Sequence, residues 1–350
     1  MCIYPRIVKP QTIRQVPVIL GLLFLLFGIG VTKDAHSSAL SSQEDCIVNL
    51  FKTAPDSMTI GQARAICTER ISNETGSPAD DEKLVEGRLN VDITNILKPF
   101  TLMSHRNNYI LLGAHNFQGW NTAAYQDAFE LDELDADNTE VQFQLSIKTP
   151  LAVDLFNQRI DLFAAYTVRS FWQLYNNDVS SPFRETNHEP EFWLQVRSDW
   201  EIFGFQNNVS AIGLSHMSNG QGGTLSRSWN RIYAAIAFER GNLVFMLRPW
   251  IRIEEDSEDD DNPDITDYYG HGELWMAYKY KKHIFSLMSR NNLESGFSLG
   301  AVELGWSFPF FGYPFLKGYI QYFSGYGESL IDYNQYVNRI GFGLQLTDIL

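Results

Sequence analysis

Beyond residue 31 this 350-residue chain has no apolar run long enough to cross a bilayer as a helix, so helical membrane spans are excluded from there on. It is also short of positive charge. Its 27 Lys and Arg stand against 42 Asp and Glu, a formal net charge of −15. Nucleic-acid binding needs clustered Lys and Arg, so no nucleic-acid partner is expected. The balance fits an exported protein with room for divalent cations. Cysteine is scarce: there are three, with no CxxC and no Cys/His cluster of the kind structural zinc uses.

What is present begins with a targeting segment. Arg6, Lys9 and Arg14 precede an apolar stretch from Val16 to Val31, and Ala35-His36-Ser37-Ser38-Ala39 offers small residues for cleavage. Residues 1–39 therefore read as a secretory signal peptide. The stretch is ~16 residues, short of the ~20 a spanning helix needs, and an uncleaved anchor is the alternative. Cys2 leaves with the signal. Cys46 and Cys67 remain, an even pair in an oxidising compartment, either disulfide-bonded or two buried thiols. Residues 40–96 read as a periplasmic helical extension. Thr59-Ile60-Gly61-Gln62 has capping-box spacing, Ile60, Ala63, Ile66 and Cys67 follow at helical spacing, and Ser77 to Glu82 reads as a linker.

From about residue 97 the helical period gives way to alternation. Val141, Phe143, Leu145 and Ile147 alternate with Gln142, Gln144, Ser146 and Lys148; Ile340, Phe342, Leu344 and Leu346 alternate with Arg339, Gly341, Gly343 and Gln345. About twelve such segments of ~10 residues run to the end of the chain, the length a tilted membrane strand needs. The expected fold is all-β, a twelve-stranded antiparallel transmembrane β-barrel over residues 97–350 with a small N-terminal helical extension. Asp161, Arg169, Arg197, Glu201, Glu239, Glu273 and Glu303 would face inward and fill the lumen with a polar network. A soluble β-sandwich with one wet face reads similarly, but Tyr and Trp near strand ends favour the membrane form. The acidic run Glu254–Asp264 lacks the Gly and Glu that an EF-hand requires and reads as a solvated loop.

Polar residues interrupt two of the apolar faces. Ile212, Leu214, His216 and Ser218 share one strand face; Asn230, Ile232, Ala234, Ile236 and Phe238 share another. A serine hydroxyl needs a base to take its proton, and the base needs a group to hold its tautomer. His216 and Ser218 are same-face neighbours, and Asn230 can accept from the other ring nitrogen. An amide there avoids an ionised group facing hydrocarbon. Gly220, with no Cβ, can bring its N–H to an oxyanion. No second donor is visible; a hydrated cation near Ser226 and the carbonyls of 221–226 would serve. By itself H-x-S is a weak motif. A passive barrel is the competing reading, marked by the absence of a reactive Ser on the lipid face.

At these residues the chain resembles the bacterial outer-membrane phospholipase A family. His216-Met217-Ser218-Asn219-Gly220 followed by Ser226-Arg227-Ser228-Trp229-Asn230-Arg231 is similar to its active-site signature. Ser180 to Asn187, Asp261 to Thr266 and Ser324 to Asn334 resemble three further blocks in the same order. The resemblance implies a twelve-stranded barrel carrying the triad outside, at the outer-leaflet level. It implies hydrolysis of sn-1 and sn-2 esters of phospholipids and lysophospholipids, which is phospholipase A1 and A2 activity. His216 would be the base, Ser218 the nucleophile, Asn230 the orienter and Gly220 the oxyanion donor. Calcium would bind Ser226 and the Gln221 carbonyl, with the carbonyl of the partner's Ser180 completing the site in an active homodimer. Three positions depart from the family pattern. Gln221 stands where a charged residue is frequent, Val168 where a Gln bonds across the dimer, and Leu350 where an aromatic ends the chain.

Overall fold

The structure, a computed structural model, describes residues 84–96 and 101–347, except 131–132, 135, 157–159, 178–180 and 259, with single positions around Cys46 and Cys67. The signal peptide, the capping box at Thr59, the 77–82 linker and Ser180 lie outside the described residues. Cys46 and Cys67 are joined by a disulfide, their Cα atoms 5.8 Å apart.

Helix α1 (Leu84–Ile96) precedes the sheet. Then come β1 (Met103–Ser104), β2 (Asn108–Asn116), α2 (Ala123–Phe129), β3 (Thr139–Leu155), β4 (Ile160–Trp172), β5 (Phe183–Ile202) and β6 (Phe205–Ser218). A 3-10 turn (Gly223–Leu225) leads to β7 (Ser228–Arg240) and β8 (Leu243–Ile253). Helix α3 (Ile265–Tyr269), β9 (Gly272–Tyr280), β10 (His283–Asn291), β11 (Gly300–Phe310), β12 (Tyr313–Gly325) and β13 (Val337–Thr347) follow. Twelve strands, β2 to β13, form one closed antiparallel ring. Each pairs with its sequence neighbours, and β13 returns to β2 through pairs such as Ile340 with His115. The two-residue β1 continues the line of β2 along β3. Closure pairs the backbone around the ring, the condition a sheet must meet in hydrocarbon. No helix among the described residues is long and apolar enough to cross a membrane.

The pleat separates the two faces as the alternation demands. Leu145, Phe192, Leu214, Phe285, Leu304 and Phe342 are exposed on the outside. Glu140, Gln142, Glu189, Glu191, Arg231, Arg248 and Arg339 are buried inside. The lumen is crowded with charge pairs. Arg106 holds Glu189 through both oxygens at 2.7 and 3.0 Å and reaches Glu191 at 2.7 Å. Asp161, Arg169, Arg197, Glu273 and Glu303 join such pairs, as expected, and Glu239 accepts from the Val85 N–H and the Asn208 side chain. Glu201 does not. A register shift between Arg197 and Trp200 carries it to the exposed end of β5. The strands also run longer than expected, up to 20 residues in β5, because several pairings continue past the apolar belt.

Short turns at Gly204, Gly241, Lys281 and Gly312 mark one end of the barrel; the longer loops gather at the other. Helix α1 is seated at the short-turn end. The Val85 N–H donates to Glu239 at 2.8 Å, and Lys148 pairs with Asp92 at 2.5 Å.

Candidate active site

The long-loop end carries the polar residues singled out above. On β6, Ser215 turns inward and its Oγ donates to Glu189 at 2.9 Å, so His216 and Ser218 turn outward with the exposed Leu214. The register sets His216 opposite Asn230 on β7, and Ser218 between Ser228 on β7 and His188 on β5. His216 Nδ1 lies 2.8 Å from Asn230 Oδ1. An amide oxygen only accepts, so Nδ1 carries the hydrogen and Nε2 keeps its lone pair. Ser218 sits two residues along the same face, and among the described residues its hydroxyl has no hydrogen-bond partner. Such contacts commonly tighten only once substrate is bound.

Two residues that sequence reasoning passed over hold this arrangement. Glu255 accepts from Asn230 Nδ2 at 2.8 Å, which fixes the amide with its oxygen toward the imidazole. Asn219 is buried and ties the loop after β6. Its Oδ1 accepts from the Gln221 and Arg227 N–H groups at 3.3 and 3.1 Å, and its Nδ2 donates to Leu225 O at 2.8 Å. That tie turns the chain so that Gly220 adopts φ +66°, a left-handed conformation that favours glycine. Gly220 is exposed beside Ser218.

The acidic run departs from the solvated-loop expectation. Besides Glu255, Asp260 pairs with Arg252 at 2.6 Å, Asp261 accepts from Ser226 Oγ, and Asp264 accepts from the Tyr333 hydroxyl. Burial and that bond to Asp264 push the Tyr333 phenol up. The Asn262 side-chain Oδ1 accepts from the Ser228 N–H at 3.0 Å and pins the run against β7. Ser226 and Gln221 thus lie on one loop with a carboxylate beside Ser226. Among the described residues no three acidic, His or Cys side chains converge as a ready-made metal site.

A closed antiparallel barrel with an apolar belt outside and charge inside defines an integral outer-membrane protein. Residues 85–346 match the family described as Phospholipase A1, and the chain belongs to that family. It is an outer-membrane phospholipase. Phospholipase A1 of Klebsiella pneumoniae is 37% identical over 275 residues, covering 77% of this chain and 91% of that protein. The calcium-bound dimer of the Salmonella typhi outer-membrane phospholipase superimposes with a TM-score of 0.67 at 37% identity, covering 74% of this chain and 98% of that one. The Escherichia coli enzyme, solved as an active-site asparagine-to-alanine variant, gives 0.67 at 35%, with coverages of 74% and 98%.

Proposed function

We propose that this barrel hydrolyses the sn-1 and sn-2 acyl esters of phospholipids and lysophospholipids, with Ser218 as nucleophile, His216 as base and Asn230 as its orienter. The observation that carries the reading is the His216 to Asn230 contact on the lipid-facing side, with Ser218 adjoining it and Gly220 at φ +66° beyond. His216 Nε2 takes the Ser218 proton as the hydroxyl oxygen bonds to the ester carbonyl carbon. The carbonyl oxygen becomes an oxyanion, met by the Gly220 N–H. The C–O bond to glycerol then breaks, and the imidazolium returns its proton to the departing alkoxide. Water repeats the sequence on the acyl-serine, releasing fatty acid and restoring Ser218. Asn230 holds the tautomer, and Glu255 holds Asn230. The asparagine in the active site of the Escherichia coli relative supports this role.

The calcium ion belongs to the same proposal. Its donors would be Ser226 Oγ, the Gln221 carbonyl and the carbonyl of the partner's Ser180. They are all oxygens, and Asp261 adds negative charge at Ser226, which suits a hard divalent cation. The proposed site is shared between two subunits, the partner's Ser180 supplying the third oxygen. The bound ion would add positive charge near the developing oxyanion. The calcium-bound dimer of the Salmonella typhi relative supports both points.

The test is a sulfonyl fluoride probe on detergent-folded protein, with and without a calcium chelator, followed by mapping of the modified residue. Labelling of Ser218 that depends on calcium is expected, and Ser218→Ala should be inert as a folded barrel. Labelling elsewhere, or hydrolysis by Ser218→Ala, removes Ser218 from its role; chelator-insensitive labelling removes the ion.

A further inference from the structure

The nucleophile has a histidine on each side, and the hydrolytic sequence above uses only one. His188 is the direct cross-strand partner of Ser218, and it turns outward between Thr186 and Pro190 while Asn187 and Glu189 turn into the lumen. Further along the same face of β5 stand Phe192 and Leu194, both exposed and apolar. An imidazole on a lipid-facing stripe is costly unless it has work to do there. Its ring edge lies beside Gly220, on the side where a Cβ would project. A Cβ built on Gly220 would lie 3.8 Å from His188 Cδ2 and 3.9 Å from Nε2.

The other ring nitrogen is occupied. The Tyr166 hydroxyl, on β4, lies 2.5 Å from His188 Nδ1. A phenol is the stronger hydrogen donor of the two, so Tyr166 donates and Nδ1 accepts. In the neutral ring the hydrogen then stands on Nε2, at the edge facing Gly220. His216 has the opposite arrangement: hydrogen on Nδ1 toward Asn230, lone pair on Nε2. The two imidazoles flanking Ser218 are thus set in opposite tautomers, one to accept a proton and one to donate a hydrogen bond.

We propose that His188, positioned by Tyr166, is a second oxyanion donor, its Nε2–H joining the Gly220 N–H on the carbonyl oxygen of the scissile ester. This rests on Ser218 being the nucleophile. His188 exchanges no proton. It adds a hydrogen bond that strengthens as charge gathers on that oxygen, and the bond relaxes when the carbonyl re-forms. It supplies from the protein a donor of the kind that the sequence reading gave to a hydrated cation. Because the imidazole projects from a rigid strand, the donor is in place before substrate arrives, which is where such stabilisation gains its effect.

The experiment compares His188→Phe, His188→Gln and Tyr166→Phe with the parent enzyme, all folded in detergent with calcium and assayed on a short-chain ester. Folding is followed by heat-modifiable electrophoretic mobility and the dimer by cross-linking. Loss of one oxyanion donor lowers kcat by about 100-fold or more, so His188→Phe should fall by that factor with KM little changed. His188→Gln keeps an N–H donor and should recover part of the loss. Tyr166→Phe frees the tautomer and should show a smaller fall in kcat. If His188→Phe does not fold, the Tyr166→Phe and His188→Gln pair carries the test, and parental kcat in both overturns the proposal. Parental kcat in folded, dimeric His188→Phe also overturns it. So does full recovery of that variant on chemical cross-linking, which would make His188 a dimer contact only. Ser218→Ala runs alongside: hydrolysis surviving there sinks the triad, whatever His188 does.

Discussion

Asn230 stands between an imidazole and a carboxylate, accepting from His216 and donating to Glu255. Its amide has no charge of its own, so its worth lies in orientation. Glu255 supplies that orientation at 2.8 Å from the partly exposed loop, where solvent mutes its charge but not its geometry. Glu255→Ala should therefore lower kcat by a modest factor, about fivefold, in keeping with the loss of one net hydrogen bond of ~1 kcal/mol. Glu255→Gln keeps an accepting oxygen and should restore most of the rate. Steady-state kinetics of the two variants checks this; equal losses would mean that charge, not orientation, is the contribution. If the proposed roles hold, Asn230→Ala should cost less than His216→Ala, since it removes the proposed support and leaves the proposed base.

At the scale of elements, the loop from Asn219 to Arg227 is shaped by one buried side chain. Asn219 satisfies two backbone N–H groups and one carbonyl. Leaving such groups unpaired costs roughly 1–3 kcal/mol each where water cannot reach them. Asn219→Ala should loosen 219–227 without opening the barrel. Faster hydrogen exchange in that loop and lowered activity, with unchanged heat-modifiable mobility, is the expected pattern. The strands themselves were legible beforehand, because a wall between lipid and lumen forces a period of two along each of them. His216, Ser218 and Asn230 were legible for the same reason: they break an apolar stripe. Asn219 was not, although it lies inside the same motif, because its bonds go to backbone that no residue pattern reveals. Glu255 and Asp261 were hidden too. An acidic run looks alike whether it meets water or folds back onto β7. Glu201 was misplaced by a register shift, which reverses the facing of everything after it.

Across the whole molecule, the charged lumen is the structural counterpart of the apolar belt. Arg184 shows how tightly it is bound together. Its Nε and Nη2 each meet Glu140 at 3.0 Å, its Nη1 meets Asp332, and its guanidinium lies 3.8 Å from the Trp120 ring centre. These partners come from β3, from the 325–337 connection and from the 116–123 connection, so one side chain ties the long-loop end together. Removing one member of a buried ion pair leaves the others uncompensated, at ~3–5 kcal/mol. Arg184→Ala should lose that much by urea titration in detergent, while Arg184→Met, which keeps volume, should fare no better. The urea midpoint decides, and a loss under 1 kcal/mol would show that water enters freely at this end.

The ring is joined where its first stave, β2, meets its last, β13. A cylinder sealed at that seam has no half-built form: until the final stave is in place, an edge lies bare to hydrocarbon that cannot satisfy it. The polypeptide must therefore travel to its membrane as an open thread, kept from closing on itself, and becomes a lipid-splitting machine only when its two ends are zipped side by side.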